Sequence, residues 1–324
     1  MREARARARL GLAGLLLAGC SVLSIDLTPR IRPLEEATVE GRGDAKILLV
    51  DLSGVLSDEA MTPTLTLDTR APRVPLLVRL REELLRAEGD TRVRALVLRI
   101  NSPGGTVTAS DVIYRELRLY RERTGVPVVA ILMDLAASGG YYVALAADTI
   151  VAHPTTVTGS IGTLMVSVNA EGLLQKIGVA PVTIKSGERK DMGSPFRAPT
   201  PEERAIFQSV IDQLHEQFVA KVAERRRLES ASAARLADGR IYTAEQAVRL
   251  GLVDRIGYLP EALALAQQAA GVEDARVVVY HRPREYRATY YARSGTSLSS
   301  LEAGLASLAA FTGPGPRFLY LWWP

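Results

Sequence analysis

Apolar residues along this chain follow two patterns, short continuous runs and longer stretches with helical spacing. The runs are rich in Val, Ile and Leu and include AKILLVDLSGVL, RVRALVLRI, VPVVAILMD and DTIVAHP. Between them lie PLLVRLREELLRAE and TASDVIYRELRLYRER, which predict helices, with Thr108 or Ser110 as the N-cap of the second. Continuously apolar strands that alternate with helices are typical of a parallel sheet covered on both faces. The sequence therefore predicts an α/β fold.

Helical spacing dominates from about residue 200. PEERAIFQSVIDQLHEQFVAKVAERR predicts a long helix that begins at Pro201, and TAEQAVRLGLVDRIG predicts another that ends near Gly251. SIGTLMVSV and APVTIKSG are predicted strands before this helical part, and ARVVVYHRP is a predicted strand after it. SLSSLEAGLASLAAF predicts a last helix. We expect the aromatic tail GPGPRFLYLWWP to pack on a partner subunit or to rest on lipid.

The N-terminus has the pattern of an export signal. Several arginines precede LGLAGLLLA, an apolar stretch too short to span a bilayer, and the sequence LAGC follows. LAGC resembles a bacterial lipobox, so Cys20 is the predicted site of lipidation and membrane anchoring; the alternative is a signal anchor with an incidental cysteine. The predicted organisation is a signal peptide (1–19), a polar tether (20–43), a folded domain (44–282) and a tail of unassigned role (283–324).

Composition and motifs narrow the function classes. The chain is 47% hydrophobic and 23% charged with a net charge of +4, which is typical of a globular protein and too mild to indicate a nucleic-acid partner. It contains no HExxH or CxxC pattern and no GxxxxGK[ST] loop, so neither a metal, a cofactor nor ATP is expected.

Two glycine-rich loops leave neighbouring predicted strands. NSPGG ends with Gly104 and Gly105, and ASGG places Ser138 and Gly139 between a strand and a short helix. Because ligand sites of open α/β sheets lie at the carboxyl ends of strands, these loops are expected to converge. Backbone N–H groups of Gly104 or Gly105 and of Gly139 would then form an oxyanion hole beside Ser138 as nucleophile. The alternative is a plain turn and a plain helix cap.

A serine nucleophile needs a base. His153 is the histidine within the sheet region, and a lysine is the other option because Ser–Lys dyads are known. A lysine base must be neutral near pH 7, which requires its pKa to fall by about three units from about 10.4, mainly through desolvation. Lys190 lies in a loop beyond a predicted strand, Lys185 lies nearby, and the residues alone do not choose between them.

Five motifs in order, LRINSPGG, AASGGYYVALAAD, TGSIGT, KSGERKDMGSPFR and TAEQAVRLGLVDRIG, resemble those of the S49 serine peptidases of the signal peptide peptidase A type. The resemblance spans about residues 46–282 and implies a ClpP/crotonase-like fold, a parallel sheet flanked by helices with a helical C-terminal part. It implies ATP-independent cleavage of remnant signal peptides and other hydrophobic peptides.

The resemblance also assigns roles to residues. It implies that Ser138 is the nucleophile, that Lys190 rather than Lys185 is the base and that Ser160 orients this base. The oxyanion glycines fall on Gly104-Gly105 and Gly139. It further implies a homo-oligomeric ring, commonly an octamer, in which neighbouring subunits share each active site, held at the bacterial cell envelope and facing the periplasm or the exterior.

Two alternatives stay open at this point. A crotonase-like acyl-CoA enzyme would also use paired N–H donors, although an export signal is unexpected for it. A non-catalytic lipoprotein scaffold or peptide-binding ring would keep the fold without the chemistry, although the chain retains Ser138, Ser160 and Lys190.

Overall fold

The computed structural model of the chain describes residues 32–58, 74–283, 289–292 and 317–322. Its strands are β1 (Glu35–Gly41), β2 (Ala45–Ser53), β3 (Val93–Ser102), β4 (Gly104–Thr106), β5 (Val128–Ala137), β6 (Thr149–Ala152), β7 (Val157–Gly159), β8 (Leu164–Val166), β9 (Ile241–Thr243), β10 (Arg255–Ile256), β11 (Ala275–His281) and β12 (Arg317–Leu321). Its helices are α1 (Leu76–Glu88), α2 (Val107–Thr124), α3 (Gly139–Ala144), α4 (Glu171–Lys176), α5 (Pro201–Arg226), α6 (Ser230–Leu236), α7 (Ala244–Arg249) and α8 (Leu259–Ala269).

Nine of these strands form one sheet. Along its main path the strand order is β1-β11-β2-β3-β5-β6-β10, and β7 pairs with β5 and β9 off this path. From β11 to β10 every neighbouring pair on the main path is parallel, whereas β1 is antiparallel to β11 at one edge. The predicted parallel sheet flanked by helices is therefore confirmed.

The central strands are apolar throughout because helices cover both faces of the sheet. In β2, Leu48 and Val50 lie in the larger core cluster, which includes buried residues of α1 and α2. Ile47 and Leu49 point to the opposite face and lie in a second cluster, which includes Leu263 of α8. Alternate residues of one strand thus meet two different helical layers, as expected for a parallel sheet.

The first strand and one helix start differ from the sequence-based assignment. Glu35–Gly41, which fell in the predicted tether, forms β1 and pairs with β11. The N-cap of α2 is Thr106, not Thr108 or Ser110, because the Thr106 side chain accepts a hydrogen bond from the Ala109 N–H. Ser110 instead donates its hydroxyl back to the Thr106 carbonyl at 3.0 Å. The NSPGG loop therefore continues directly into α2.

The predicted strand APVTIKSG is wrong. Residues 180–187 contain no strand, and the side chains of Val182 and Ile184 are 87% and 97% exposed. The alternating apolar residues predict a strand, but within the described chain no neighbouring strand pairs with this segment. SIGTLMVSV contributes a strand only at Leu164–Val166. The predicted helix SLSSLEAGLASLAAF and Cys20 lie outside the described residues.

A second, three-stranded sheet brings the end of the chain to the NSPGG loop. Its order is β4-β12-β8, and β12 is antiparallel to both neighbours. The described part of the aromatic tail thus packs on its own chain, where the sequence analysis expected a partner subunit or lipid. Among the residues that the structure describes, no helix is both long and apolar enough for a membrane span.

Candidate active site

The NSPGG loop leaves β3 in a conformation that requires glycine. Gly104 has φ +102°, which side chains other than glycine rarely adopt. Ser102, which is fully buried, accepts a hydrogen bond from the Gly104 N–H at 3.1 Å and donates its hydroxyl to the Gly54 carbonyl at 2.7 Å. The Gly104 N–H is therefore already bound within the loop. Gly105 makes no such bond within the loop; it lies opposite Tyr320 of β12.

Ser138 occupies a strained turn at the end of β5. Its φ of +51° and ψ of −116° are unusual for a residue with a side chain, and such strain costs about 1–3 kcal/mol. The turn is held by two backbone hydrogen bonds, from Ser138 N–H to the Gly159 carbonyl at 2.7 Å and from Tyr142 N–H to the Ser138 carbonyl at 2.8 Å. Ser138 is fully buried, and its Oγ has no hydrogen-bond partner among the residues that the structure describes. A buried, unpaired hydroxyl at a strained turn indicates a chemical role rather than a capping role.

The two glycine-rich loops meet. A Cβ built on Gly104 would lie 2.7 Å from the Gly139 nitrogen, and one built on Gly139 would lie 3.1 Å from the Gly104 Cα. As the first residue of α3, Gly139 has an N–H that no helical carbonyl accepts. The structure therefore brings together the loops that the sequence analysis expected to converge, with Ser138 between β5 and Gly139.

Ser160 directly follows β7, the strand that pairs with the end of β5. β7 pairs in parallel with β5, and Ala137 is opposite Gly159, so each serine follows directly after a paired residue. Ser160 has φ +49° and is 8% exposed. In the described ranges, Ser138, Ser160 and Arg227 are the non-glycine residues with positive φ. Two of these three strained positions are thus neighbouring serines that the sequence analysis had selected.

His153 is occupied by structural contacts. Its Nδ1 lies 2.9 Å from the Thr155 hydroxyl, and its ring packs edge-on against Tyr258 at a centroid distance of 5.0 Å. Because Ser138 Oγ has no hydrogen-bond partner, His153 does not contact it as a base. Histidine is therefore not the favoured base in this site.

The two candidate lysines have different environments. Lys185 donates hydrogen bonds of 2.7 Å to the Glu188 carbonyl and to Asp191 Oδ1. Hydrogen bonds from Arg197 and Lys185 hold the pKa of Asp191 well below its usual range, so this carboxylate stays charged. The Lys185 ammonium is thereby held in an ion pair, which opposes its use as a neutral base.

Lys190 is not held in an ion pair of this kind within the described residues. It is exposed, and its backbone N–H donates to the Gly187 carbonyl at 3.1 Å. In the part of the chain that the structure describes, its ammonium makes no hydrogen bond or ion pair. Within a single chain the structure does not join Lys190 to Ser138, since the serine Oγ is unpaired. Ser138 and Ser160 follow neighbouring strands and the two glycine loops meet beside Ser138, whereas no hydrogen bond joins Lys190 to Ser138 among the described residues.

The structure adds one element that the sequence analysis missed. Strand β12 lies against β4, with Tyr320 opposite Gly105. The alternation of RFLYL is compatible with a strand, but nothing in the sequence says which strand it pairs with. The end of the chain therefore belongs to the surroundings of the candidate site.

The glycine at the start of α3 gives a first test of this geometry. A methyl group at Gly139 would lie 2.3 Å from Ser110 Oγ and would push the loop away from Gly104. For the peptide cleavage that the family resemblance implies, we expect Gly139→Ala to lower kcat by about 100-fold, the usual effect of displacing one oxyanion donor. Gly89→Ala is the matched control, because a Cβ at Gly89 would make only ordinary van der Waals contacts, at 3.6 Å and beyond. Equal kcat values for the two variants would contradict the assignment.

Comparison with known proteins agrees with this architecture. The family model for Clp protease matches residues 77–157, and the model for peptidase family S49 matches residues 121–273. A ClpP1 mutant from Listeria monocytogenes aligns with 66% of this chain and 94% of its own, at a TM-score of 0.42 and 18% identity. Together with the parallel sheet, the match to the Clp protease family model defines an α/β protein with a ClpP-like fold.

Curated relatives define the family more closely. An Enterococcus faecium protein described as "Putative signal peptide peptidase SppA" is 35% identical over 246 residues, 76% of this chain and 70% of that protein. Protease 4 of Salmonella typhi is 38% identical over 191 residues, 59% of this chain and 31% of that protein. The chain belongs to peptidase family S49 and is a serine peptidase. Family membership favours peptidase chemistry over the acyl-CoA and scaffold alternatives.

Proposed function

We propose that the protein is a membrane-tethered, ATP-independent endopeptidase that cleaves remnant signal peptides and other hydrophobic peptides with a Ser138–Lys190 dyad. The observation that carries the proposal is the Ser138 hydroxyl, which is buried and unpaired on a strained turn beside the glycines of the second loop. This hydroxyl makes no hydrogen bond within the described part of the chain. It lies next to backbone N–H donors that are suited to hold an oxyanion.

In the proposed mechanism Ser138 Oγ attacks the scissile carbonyl while the Lys190 amine accepts its proton. The N–H groups of Gly139 and Gly105 hold the negative charge of the tetrahedral intermediate. Lys190 then gives the proton to the leaving amine, which leaves an acyl-enzyme at Ser138. Water, deprotonated by the same lysine, attacks the acyl carbonyl. The protonated lysine then returns this proton to the departing Ser138 Oγ, which frees the carboxylic product and restores both groups. Ser160 acts as a positioning residue that hydrogen-bonds the lysine.

Lys190 is proposed to reach Ser138 from a neighbouring subunit of a ring. The segment around Lys190 exposes many large apolar side chains, which are unusual on the surface of a free monomer. They are Val166, Val168, Leu173, Ile177, Val179, Val182, Ile184 and Phe196. Burial of this segment against another copy would also remove water from the lysine, which favours its neutral form. An octameric ring is the assembly that the family resemblance implies.

Ion pairs anchor the loop that carries Lys190, which supports the same proposal. Arg197 binds Asp191 and Glu203 at once, with Arg197 Nη1 2.8 Å from Glu203 Oε2 and Arg197 Nη2 2.8 Å from Asp191 Oδ1. The guanidinium of Arg197 lowers the pKa of Glu203 to about 2. Asp191 directly follows Lys190, so this network ties the lysine-bearing loop to the start of α5. The loop is thus anchored although its surface is exposed.

Lipidation of Cys20 and a position at the cell envelope belong to this proposal. Support comes from the arginine-rich start, the short apolar stretch and the LAGC motif. A lipid anchor would hold the folded domain near the membrane, where apolar peptides accumulate.

Mixing two inactive variants tests the proposed function and its shared sites. The wild type is expected to cleave an apolar peptide without ATP, and Ser138→Ala and Lys190→Ala are each expected to be inactive. Subunits mixed at equal amounts and reassembled should regain about a quarter of wild-type activity, because about half of the serines and half of the lysines at each shared site are intact. The measurement is the rate of peptide cleavage, with each variant alone as control. No cleavage by the wild type would contradict the function, and no recovery on mixing would contradict sharing.

A further inference from the structure

A cleft rich in arginine, which we call the arginine cleft, lies at the last turns of α2 and α5. Its volume is about 490 Å³, within the range of small-molecule sites. The arginines that line it are Arg118, Arg121, Arg225, Arg226 and Arg227. The carboxylates that line it are Asp148, Glu224 and Asp254. Five positive and three negative side chains give the lining a net charge of +2.

The arginine cleft lies at the opposite end of β5 from Ser138. Asp148 Oδ2 accepts a hydrogen bond of 3.0 Å from the N–H of Val128, the first residue of β5. Asp254 Oδ2 accepts one of 2.7 Å from the N–H of Ile150, near the start of β6. Ser138 follows the last of the 10 residues of β5, and at about 3.3 Å per residue the strand spans roughly 30 Å. The cleft is therefore separate from the candidate active site.

Two of the arginines are neutralised by carboxylates of the cleft. Arg121 Nε lies 2.8 Å from Asp148 Oδ2, and Arg121 Nη2 lies 2.7 Å from Asp148 Oδ1. Arg226 Nη2 lies 2.7 Å from Asp254 Oδ1, and Arg226 Nε donates to the Gly251 carbonyl at 2.8 Å. These pairs build the wall of the cleft and add no net charge to it.

Two further charged groups of the lining have partners outside it. Arg118 Nη2 lies 3.6 Å from Glu122 Oε1, and Glu224 Oε2 lies 3.1 Å from Lys221 Nζ. The excess positive charge of the cleft therefore comes from its two remaining arginines.

These two arginines, Arg225 and Arg227, have no carboxylate partner in the described part of the chain. Arg225 donates from Nε to the Leu145 carbonyl at 2.8 Å and from Nη2 to the Ala147 carbonyl at 3.1 Å, which fixes its guanidinium without neutralising it. The carboxyl ends of α2 and α5 add only about half a negative charge each. The cleft thus stays positive and holds two uncompensated guanidinium groups.

Arg227 has a backbone conformation that favours glycine. Its φ is +53° and its ψ is +39°, in the left-handed region. The end of α2 has the same conformation, but there the residue is a glycine, Gly125, with φ +70°. A side chain in this region costs free energy that glycine does not. Within the described residues the Arg227 side chain makes no hydrogen bond or ion pair that would offset this cost, which indicates a role other than folding.

We infer that the arginine cleft binds a phosphate group, with Arg225 and Arg227 donating hydrogen bonds to its oxygens. A guanidinium presents parallel N–H groups that match two oxygens of one phosphate. The net charge of +2 suits the one or two negative charges of such a group. A free phosphate anion and the headgroup of a phospholipid share this chemistry. The cleft is a second site, and its ligand does not take part in the proposed peptide cleavage.

Isothermal titration calorimetry on the full chain in nonionic detergent tests the site. The probes are inorganic phosphate and glycerophosphoglycerol, the water-soluble headgroup of phosphatidylglycerol. We expect at least one of them to bind with a Kd below about 1 mM, and Arg227→Gln to weaken that binding at least about tenfold, as expected for a hydrogen bond to a charged group.

Arg249→Gln is the matched control. Arg249 is also an exposed arginine in the last turn of a helix, but it lies 3.6 Å from Glu245 and outside the lining of the cleft. Its removal should leave the affinity unchanged. Tighter binding of glycerophosphoglycerol would identify a lipid headgroup, and equal or tighter binding of inorganic phosphate would identify the free anion; both support the site. Binding of neither probe, or equal losses in Arg227→Gln and Arg249→Gln, would overturn the inference.

Thermal unfolding of Arg227→Gly tests whether the arginine has a structural role instead. We expect Tm to stay the same or to rise by up to about 3 °C, because glycine relieves the left-handed strain. Phosphate binding by the same variant should weaken as it does in Arg227→Gln. A Tm below that of the wild type, or unchanged affinity, would overturn the inference.

Discussion

Replacing Ser138 by alanine is expected to abolish peptide cleavage without destabilising the fold. Loss of the nucleophile should lower kcat by about 10⁴-fold or more. The free energy of unfolding should stay the same or rise by about 1–2 kcal/mol, because the variant removes a buried hydroxyl that has no hydrogen-bond partner. Peptidase assays and chemical denaturation measure the two quantities on the same preparation.

Ser102→Ala is the matched control for stability. Ser102 is as buried as Ser138, but its hydroxyl bonds to both Gly54 and Gly104. Its loss should lower the free energy of unfolding by about 1–3 kcal/mol. If Ser138→Ala destabilised the protein as much as Ser102→Ala does, the Ser138 hydroxyl would be structural, and the proposed nucleophile would be wrong.

Lys190→Arg is expected to inactivate the enzyme although it keeps the positive charge. Arginine stays protonated in proteins and therefore cannot accept the serine proton. We expect kcat to fall by about 10³-fold, within the usual range for loss of a general base. Steady-state cleavage across a pH series measures this, since a missing base lowers kcat at every pH.

Lys185→Arg is the matched control for Lys190→Arg, because it makes the same substitution at the lysine that is not proposed as the base. The two lysines lie five residues apart in one loop, but Lys185 is bound to Asp191, and an arginine can make the same ion pair. Its activity should stay within about fivefold of the wild type, as for a partly exposed ion pair. Full activity of Lys190→Arg, or inactivity of Lys185→Arg alone, would reverse the assignment of the base.

The sequence predicts those parts of the site that depend on local geometry. An apolar run followed by ASGG places Ser138 and Gly139 at a strand end, and the structure has them there. The convergence of the two loops follows from the parallel sheet, because neighbouring parallel strands end at one edge. The fold and the positions of the two loops can thus be predicted from the apolar pattern of the strands and from the topology of the parallel sheet.

The remaining parts depend on contacts between distant segments. β1 is a half-exposed edge strand whose sequence, EEATVEG, has the polarity of a tether. Tyr320 pairs with Gly105 across most of the chain, and no periodicity encodes such a partner. The surroundings of Lys190 depend, in the proposed ring, on a second copy of the chain. These features could be reached only from the three-dimensional arrangement.

Covalent labelling with a fluorophosphonate, mapped by peptide mass spectrometry, tests the Ser138–Lys190 dyad most directly. We predict a single adduct on Ser138 in the assembled wild type and in Lys185→Arg, formed at least about 100-fold more slowly in Lys190→Arg because the serine is no longer deprotonated. An adduct on another residue, or labelling of Ser138 at the same rate without Lys190, would contradict the account.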